Sequence, residues 1–166
     1  IKLTAGQSET VMLMYMEIKR QPIAGLDIDY QVQKEIECEY KGYKLRGTLD
    51  RFDINWKVIR DWKTTKSIVQ LEWDIAQGKC QYVRQLAFYW LMVKIAMWIE
   101  CDSILDVVDK TKNNCFQAYS VPKEQIQEQI PFIISALDDL IAEHEKLEKW
   151  EPAFIWLPED MRSQAF

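Results

Sequence analysis

Two aspartates and a lysine near the middle of the chain have side chains and a spacing that suit phosphate chemistry. Asp50 is followed eleven positions later by an Asp-x-Lys triplet, Asp61-Trp62-Lys63. Alternate residues of a strand point to the same face, so Asp61 and Lys63 would project together, and a hairpin would bring Asp50 beside them. Mg²⁺ or Mn²⁺, bound through carboxylate and carbonyl oxygens, promotes phosphodiester hydrolysis. The pattern therefore indicates a metal-dependent phosphodiesterase site.

Each of these residues has an expected role. Asp50 and Asp61 are suited as metal ligands, and the backbone carbonyl of Trp62 is a further candidate. Lys63 would hold or deprotonate the attacking water, or stabilise the charged phosphate, and the sequence does not separate these roles. Because surface strands often contain Asp-x-Lys, a salt-bridged hairpin of solvated charges is the alternative interpretation.

Hydrophobic periodicity predicts the elements that would position these residues. Residues 33–63 alternate in the manner of a three-stranded antiparallel meander, residues 64–78 read as a loop with one helical turn, and residues 79–98 form a long apolar helix. The other predicted elements are a first helix, two strands and a last helix, at 11–19, 103–109, 116–121 and 124–149. This order predicts one α+β domain over residues 1–166, with a mixed central sheet flanked by helices.

The charge of the chain is unevenly distributed. The net charge is −5, but residues 44–84 contain nine Lys or Arg against five Asp or Glu, a local excess of +4. Attraction of phosphate depends on the local potential, so the acidic total does not exclude a DNA substrate. A chance excess of a few charges remains the alternative.

The cysteines and the hydropathy exclude other classes of protein. The four cysteines form no CxxC pair and His144 is the only histidine, which argues against a zinc or iron–sulfur site. No apolar run is long enough to cross a bilayer and no signal peptide is recognisable, so we expect a cytoplasmic protein with reduced thiols and no membrane partner.

Three motifs in order resemble the PD-(D/E)XK nuclease superfamily, most closely its RecB-type domains and RecE-like phage exonucleases. They are Gly47–Asp53 (GTLDRFD), Asp61–Thr64 (DWKT), and the pair Gln85 and Tyr89 on the long helix. The resemblance implies a restriction-endonuclease-like core. It also implies a Mg²⁺- or Mn²⁺-dependent DNA exonuclease, acting in phage-type recombination or DNA repair.

The resemblance also implies roles for individual residues. Asp50 and Asp61 would be the metal ligands and Lys63 the catalytic lysine. Gln85 and Tyr89, which lie one helical turn apart, would line the site or touch DNA.

Three basic residues are further DNA-binding candidates. Lys66 and Arg84 would meet phosphates, with solvated surface charges as the alternative. Arg51 would either contact DNA or pair with Asp53 and support the strand.

The superfamily usually has a further acidic residue or histidine on its first helix. Glu17 is the candidate here, Glu9 is a second choice, and an upstream N-terminal element before Ile1 is a third. In the last case this chain would bind metal poorly. The alternative function is therefore a catalytically inactive nuclease-fold module that binds nucleic acid or a protein partner. Possible partners also include a second copy of the chain or a recombination protein.

Overall fold

A single mixed sheet forms the centre of the fold. The computed structural model describes residues 4–20, 30–111 and 115–146. The elements in chain order are α1 Ala5–Arg20, β1 Tyr30–Tyr40, β2 Tyr43–Asp53, β3 Val58–Thr65, α2 Ile68–Ala76, α3 Gln81–Met97, β4 Asp102–Asp109, β5 Phe116–Val121 and α4 Lys123–Lys146. The strand order across the sheet is β1-β2-β3-β4-β5.

The sheet combines a meander with one parallel pair. β1, β2 and β3 are antiparallel neighbours, β4 lies parallel to β3, and β5 is antiparallel to β4. Parallel neighbours need a long crossover connection, and α2 and α3 supply it between β3 and β4. The predicted α+β class with a mixed sheet and flanking helices is confirmed.

Turn chemistry sets the two hairpins of the meander. Between β1 and β2, Lys41 and Gly42 both have positive φ, 51° and 84°, as a two-residue turn of this type requires. Between β2 and β3, the Asp53 carboxylate accepts hydrogen bonds from the backbone amides of Asn55 and Trp56, at 3.1 and 3.0 Å. Asp53 therefore stabilises the turn that leads into β3.

Helix α3 packs against the sheet and provides much of the core. It contacts β1, β2, β3 and β4, and its buried side chains recur at helical spacing: Val83, Leu86, Ala87, Trp90 and Val93. The buried indole of Trp90 donates to the carbonyl of Cys101 at 2.9 Å, so its polar atom is satisfied. α3 is thus firmly placed beside the central strands.

The segment after β3 differs from the prediction. Residues 64–78 were expected to be a loop with one helical turn, but they contain the nine-residue helix α2. Ser67 caps it by accepting from the amide of Gln70 at 3.1 Å, and Leu71 and Ile75 are buried one turn apart. Both signals are present in the sequence, so the loop interpretation was wrong.

The chain divides into two compact units, Ile1–Pro131 and Phe132–Phe166. All five strands belong to the first unit. The single domain over residues 1–166 stays a prediction. None of the described helices is long and apolar enough to cross a membrane.

Candidate active site

The candidate site lies where β2 and β3 separate. Their regular pairing ends at Arg51 and Arg60, one position before Asp50 and Asp61 would face each other. Beyond that point the Asp50 Oδ2 atom accepts a hydrogen bond from the backbone amide of Trp62 at 2.9 Å. A backbone amide without a strand partner needs another acceptor, and here a carboxylate supplies it. Asp50 is therefore tied directly to the strand that carries Asp61.

The other oxygen of Asp50 is held from β1. The pairing of β1 with β2 skips Gln33, whose φ of 51° is unusual for a residue other than glycine. Its side-chain amide donates to Asp50 Oδ1 at 3.2 Å. Each carboxylate oxygen has two lone pairs, so both oxygens are oriented while each retains capacity for a further ligand. The sequence analysis missed Gln33, because no local pattern marks it.

Asp61 is a buried carboxyl group with incomplete compensation of its charge. Its residue is 2% exposed, and its Oδ2 lies 2.6 Å from Lys63 Nζ. Burial raises the pKa of Asp61 to about 6. The Lys63 ammonium lowers this pKa, and the nearby Asp50 carboxyl raises it. The desolvation cost of the charged form thus exceeds what one lysine offsets.

These carboxylates fit a hard divalent cation. Asp61 Oδ2 is buried and lies 2.6 Å from the Lys63 ammonium. A carboxylate oxygen has two lone pairs, so it retains capacity for a further ligand. Asp50 is close enough to perturb the pKa of Asp61. Oxygen ligands of this kind suit Mg²⁺ or Mn²⁺.

Among the described residues, a third acidic ligand is not gathered with these two. Within the residues that the structure describes, no group of three His, Cys, Asp or Glu side chains is placed to hold a metal ion. Glu17 on α1 is described, but it does not complete such a group with Asp50 and Asp61. The roles expected for Glu17 and for the carbonyl of Trp62 stay predictions.

Helix α3 brings the Gln85–Tyr89 pair to the same place. Gln85 Nε2 donates to the Tyr89 hydroxyl at 2.9 Å. The pKa of Tyr89 is raised by burial, lowered by the hydrogen bond from Gln85, and raised further by the charges of Asp61 and Asp50. The phenol therefore lies within electrostatic range of both carboxylates, and the expected contact of this pair with DNA stays a prediction.

Gly47 allows the close approach of α3 to β2. A Cβ atom at this position would lie 3.0 Å from Met92 Sδ and 3.5 Å from Tyr89 Cε1. Since the shorter distance is below ordinary van der Waals contact, a side chain here would push against α3. The glycine of the first motif thus has a packing role beside the site.

The basic candidates differ in exposure. Arg51 is only 4% exposed, and both roles expected for it, contact with DNA and support of the strand, stay predictions. Lys66 and Arg84 are exposed. Arg84 also donates through Nε to Gln129 Oε1 at 3.2 Å. Contact of Lys66 and Arg84 with phosphates stays a prediction.

A buried ion pair lies behind the site. Arg60 Nε and Nη2 donate to the two oxygens of Asp106 at 2.7 and 2.6 Å, and Asp106 is 0% exposed. Arg60 directly precedes Asp61 in β3, so this pair lies on the opposite face of the sheet. The sequence analysis missed it. The available signal was a charged residue within each of two apolar strands, since buried charges require partners.

Comparison with known proteins places the chain in a family. Residues 14–151 match the family described as "PDDEXK-like domain of unknown function (DUF3799)". A search of curated proteins gave no match.

The fold is shared with a solved structure. The "Putative exonuclease" from Eubacterium rectale matches with a TM-score of 0.73 at 20% sequence identity, and the alignment covers 99% of this chain and 63% of that one. The chain thus spans less than two thirds of the length of that protein. A phage related exonuclease from Haemophilus somnus 129PT matches with a TM-score of 0.45 at 16% identity, over 87% of this chain and 75% of that one.

The family match covers most of the chain and includes all three motifs. The similarity to the Eubacterium rectale structure supports the restriction-endonuclease-like fold. The chain belongs to the PDDEXK-like family DUF3799, and its resemblance to the PD-(D/E)XK superfamily is confirmed.

Proposed function

We propose that this protein is a metal-dependent deoxyribonuclease that hydrolyses phosphodiester bonds, and that it acts as an exonuclease in phage-type recombination or DNA repair. The observation that carries the proposal is the gathering of Asp50, Asp61 and Lys63 where β2 and β3 separate. The family match supports a nuclease fold. The name of the Eubacterium rectale protein and the RecE-like motifs favour an exonuclease over an endonuclease.

Each residue of the site would have a separate role in cleavage. Asp50 and Asp61 would hold Mg²⁺ or Mn²⁺, which when bound supplies Lewis acidity and an activated water. Lys63 places a positive charge next to Asp61, where it can orient the water or stabilise charge on the phosphate. The Gln85–Tyr89 pair borders the carboxylates.

Cleavage assays with matched variants test the proposal. We expect the wild-type protein to degrade linear duplex or single-stranded DNA with Mg²⁺ or Mn²⁺ and to spare closed circles. Lys63→Ala and Asp61→Ala should each lower the rate by at least about 10²–10³-fold, the loss typical of removing one electrostatic stabiliser. Lys44→Ala is the control, because Lys44 is an exposed lysine at the other end of β2.

Circular dichroism should show that each variant is folded. If the wild-type protein cuts no form of DNA with either metal, the nuclease proposal fails. Cleavage of closed circles would reject the exonuclease mode alone.

The second candidate is a catalytically inactive module that binds nucleic acid or a protein partner. The contact of Lys63 with Asp61 Oδ2 favours it, because the ammonium offsets part of the charge on an oxygen that a metal would use. This candidate predicts that Mn²⁺ does not bind by calorimetry, and that Asp61→Ala leaves DNA binding in EDTA unchanged.

A further inference from the structure

The ammonium of Lys63 has neighbours from two different elements. Asp61 Oδ2 lies 2.6 Å away on the same strand. The ring centroid of Tyr82, in the first turn of α3, lies 5.1 Å from Lys63 Nζ. A cation within about 6 Å of an aromatic ring is attracted by the ring's quadrupole, and more strongly when it is partly desolvated. The Lys63 side chain is 16% exposed, so the second condition also holds.

We propose that Tyr82 is a positioning residue that holds the Lys63 ammonium over its ring for DNA cleavage. The inference rests on the proposed function, since it matters for cleavage only if Lys63 is the catalytic lysine. No motif identified Tyr82 in this role.

The Tyr82 ring gives the Lys63 ammonium a contact that does not depend on Asp61. Lysine has a flexible four-carbon stem, so its ammonium needs an external hold. Asp61 provides one through Oδ2, but its carboxylate is also the expected metal ligand, and a cation bound there would draw on the same negative charge that holds the ammonium. The face of Tyr82 attracts the ammonium without using a carboxylate lone pair. Lys63 can therefore stay in place when Asp61 is engaged elsewhere.

The position of Tyr82 is well defined. It lies three residues before Gln85 and seven before Tyr89, a spacing that puts the three side chains on one face of α3. The adjacent Val83 is 3% exposed, and Cys80, which precedes the helix, is 8% exposed. These buried neighbours anchor the first turn of α3, which places the Tyr82 ring within reach of Lys63 on β3.

A substitution series separates ring from non-ring side chains. We expect Tyr82→Phe and Tyr82→Trp to keep kcat within about twofold, because both retain an aromatic face. Tyr82→Leu should lower kcat by about 3- to 30-fold with KM unchanged, as expected for loss of one cation–π contact. Gln81→Ala is the control at an exposed neighbouring position. Tyr82→Met serves as the second non-aromatic variant if the leucine variant does not fold.

NMR gives a readout that does not depend on activity. The Lys63 ε-methylene signal, identified by its loss in Lys63→Ala, should show an upfield ring-current shift in the wild-type and Phe proteins and lose it in the Leu variant. DNA binding in EDTA, followed by anisotropy of a labelled oligonucleotide, should be equal for wild type and Tyr82→Leu.

Three outcomes overturn the proposal. A Lys63 signal without a ring-current shift would show that the contact does not exist. Full kcat in an active Tyr82→Leu variant would show that the contact does not matter. Weaker DNA binding by Tyr82→Leu would instead assign the ring to stacking on a base. Failure of the proposed function is distinct, because then the wild-type protein itself cuts no DNA.

Discussion

Two buried aspartates on neighbouring strands are compensated in different ways. Asp106 on β4 is 0% exposed, and the guanidinium of Arg60 binds both of its oxygens. Asp61 on β3 is 2% exposed, and it has a single lysine on one oxygen and a second carboxyl group nearby. A guanidinium matches a carboxylate in two parallel hydrogen bonds, whereas an ammonium acts as a point charge. The two carboxylates are therefore buried to a similar extent, but the charge of Asp106 is neutralised more fully than that of Asp61.

The difference separates a structural pair from a candidate site. Burial raises the pKa of Asp61 to about 6 even though Lys63 lowers it, and perturbed carboxyl groups of this kind concentrate at functional sites. Arg60 and Asp61 are consecutive in β3, so the pair on one face fixes the strand that presents the acid on the other face. We interpret the Arg60–Asp106 pair as the support, and Asp61 is the acid that we propose as a metal ligand.

Removing the support should have the largest effect on stability. Asp106→Asn leaves the Arg60 guanidinium, 14% exposed, without its carboxylate partner. Breaking a buried pair from one side typically costs about 3–5 kcal/mol, and urea denaturation should show a loss of that size in the free energy of unfolding.

A surface pair provides the control for this substitution. Glu37 contacts Arg46 at 3.1 Å, and both side chains are more than half exposed. Glu37→Gln should cost less than about 1 kcal/mol. If Asp106→Asn cost no more than this control, the buried Arg60–Asp106 pair would stabilise the fold no more than a surface pair. It could then not be the support that distinguishes Asp106 from Asp61.

In the absence of metal, replacing Asp61 by asparagine should raise the free energy of unfolding, whereas Asp106→Asn should lower it. The folded-state pKa of Asp61 is raised to about 6, above the unfolded value of about 4. As pH falls from 7, the folded state takes up the Asp61 proton first, so the contribution of Asp61 to the free energy of unfolding rises between about pH 7 and pH 4. Asp61→Asn mimics the neutral form, and it should raise the unfolding free energy at pH 7 by about 1–3 kcal/mol in EDTA.

The pH profile distinguishes this effect from general stabilisation. The advantage of Asp61→Asn over wild type should shrink as pH falls toward 4, because the wild-type carboxyl group becomes neutral as well. Asp139→Asn, at an exposed position of α4, should show no such trend. A less stable Asp61→Asn protein at pH 7 would mean that the ion pair with Lys63 outweighs the desolvation of Asp61.

The predictable part of the site follows from local periodicity. Asp61 and Lys63 share a face because strand side chains alternate, and Gln85 and Tyr89 share a face because they are one helical turn apart. The same helical spacing includes Tyr82 three residues earlier, so its place on that face was also readable. The α+β class followed from the order of the elements.

The rest depends on contacts that leave no local pattern. Gln33 reaches Asp50 from 17 residues away, and the Arg60–Asp106 pair joins strands whose residues are 46 positions apart. The point at which β2 separates from β3 is a property of the three-dimensional sheet. The alternation of apolar and polar residues around Asp50 does not predict it. Long-range partners of this kind are decided by tertiary packing, which a one-dimensional period does not encode.

The smallest expected effect concerns how closely α3 approaches the Asp61 side of the sheet. In Gly47→Ala the new Cβ would lie 3.0 Å from Met92 Sδ. Overpacking a core costs about 1–3 kcal/mol, and alanine recovers about 0.5–1 kcal/mol relative to glycine in a strand. The net loss of unfolding free energy should therefore be about 1 kcal/mol.

A double-mutant cycle with Met92→Ala isolates the contact from the backbone effect. Met92 is 1% exposed, so its truncation is costly by itself, at about 2–5 kcal/mol. In that background the added methyl group meets no sulfur atom, and Gly47→Ala should become neutral or stabilising. The difference between the two backgrounds is the coupling energy. A coupling energy of zero would show that α3 or the Met92 side chain moves away from the added methyl group at little cost. Gly47 would then not set the distance between Tyr89 and the two carboxylates.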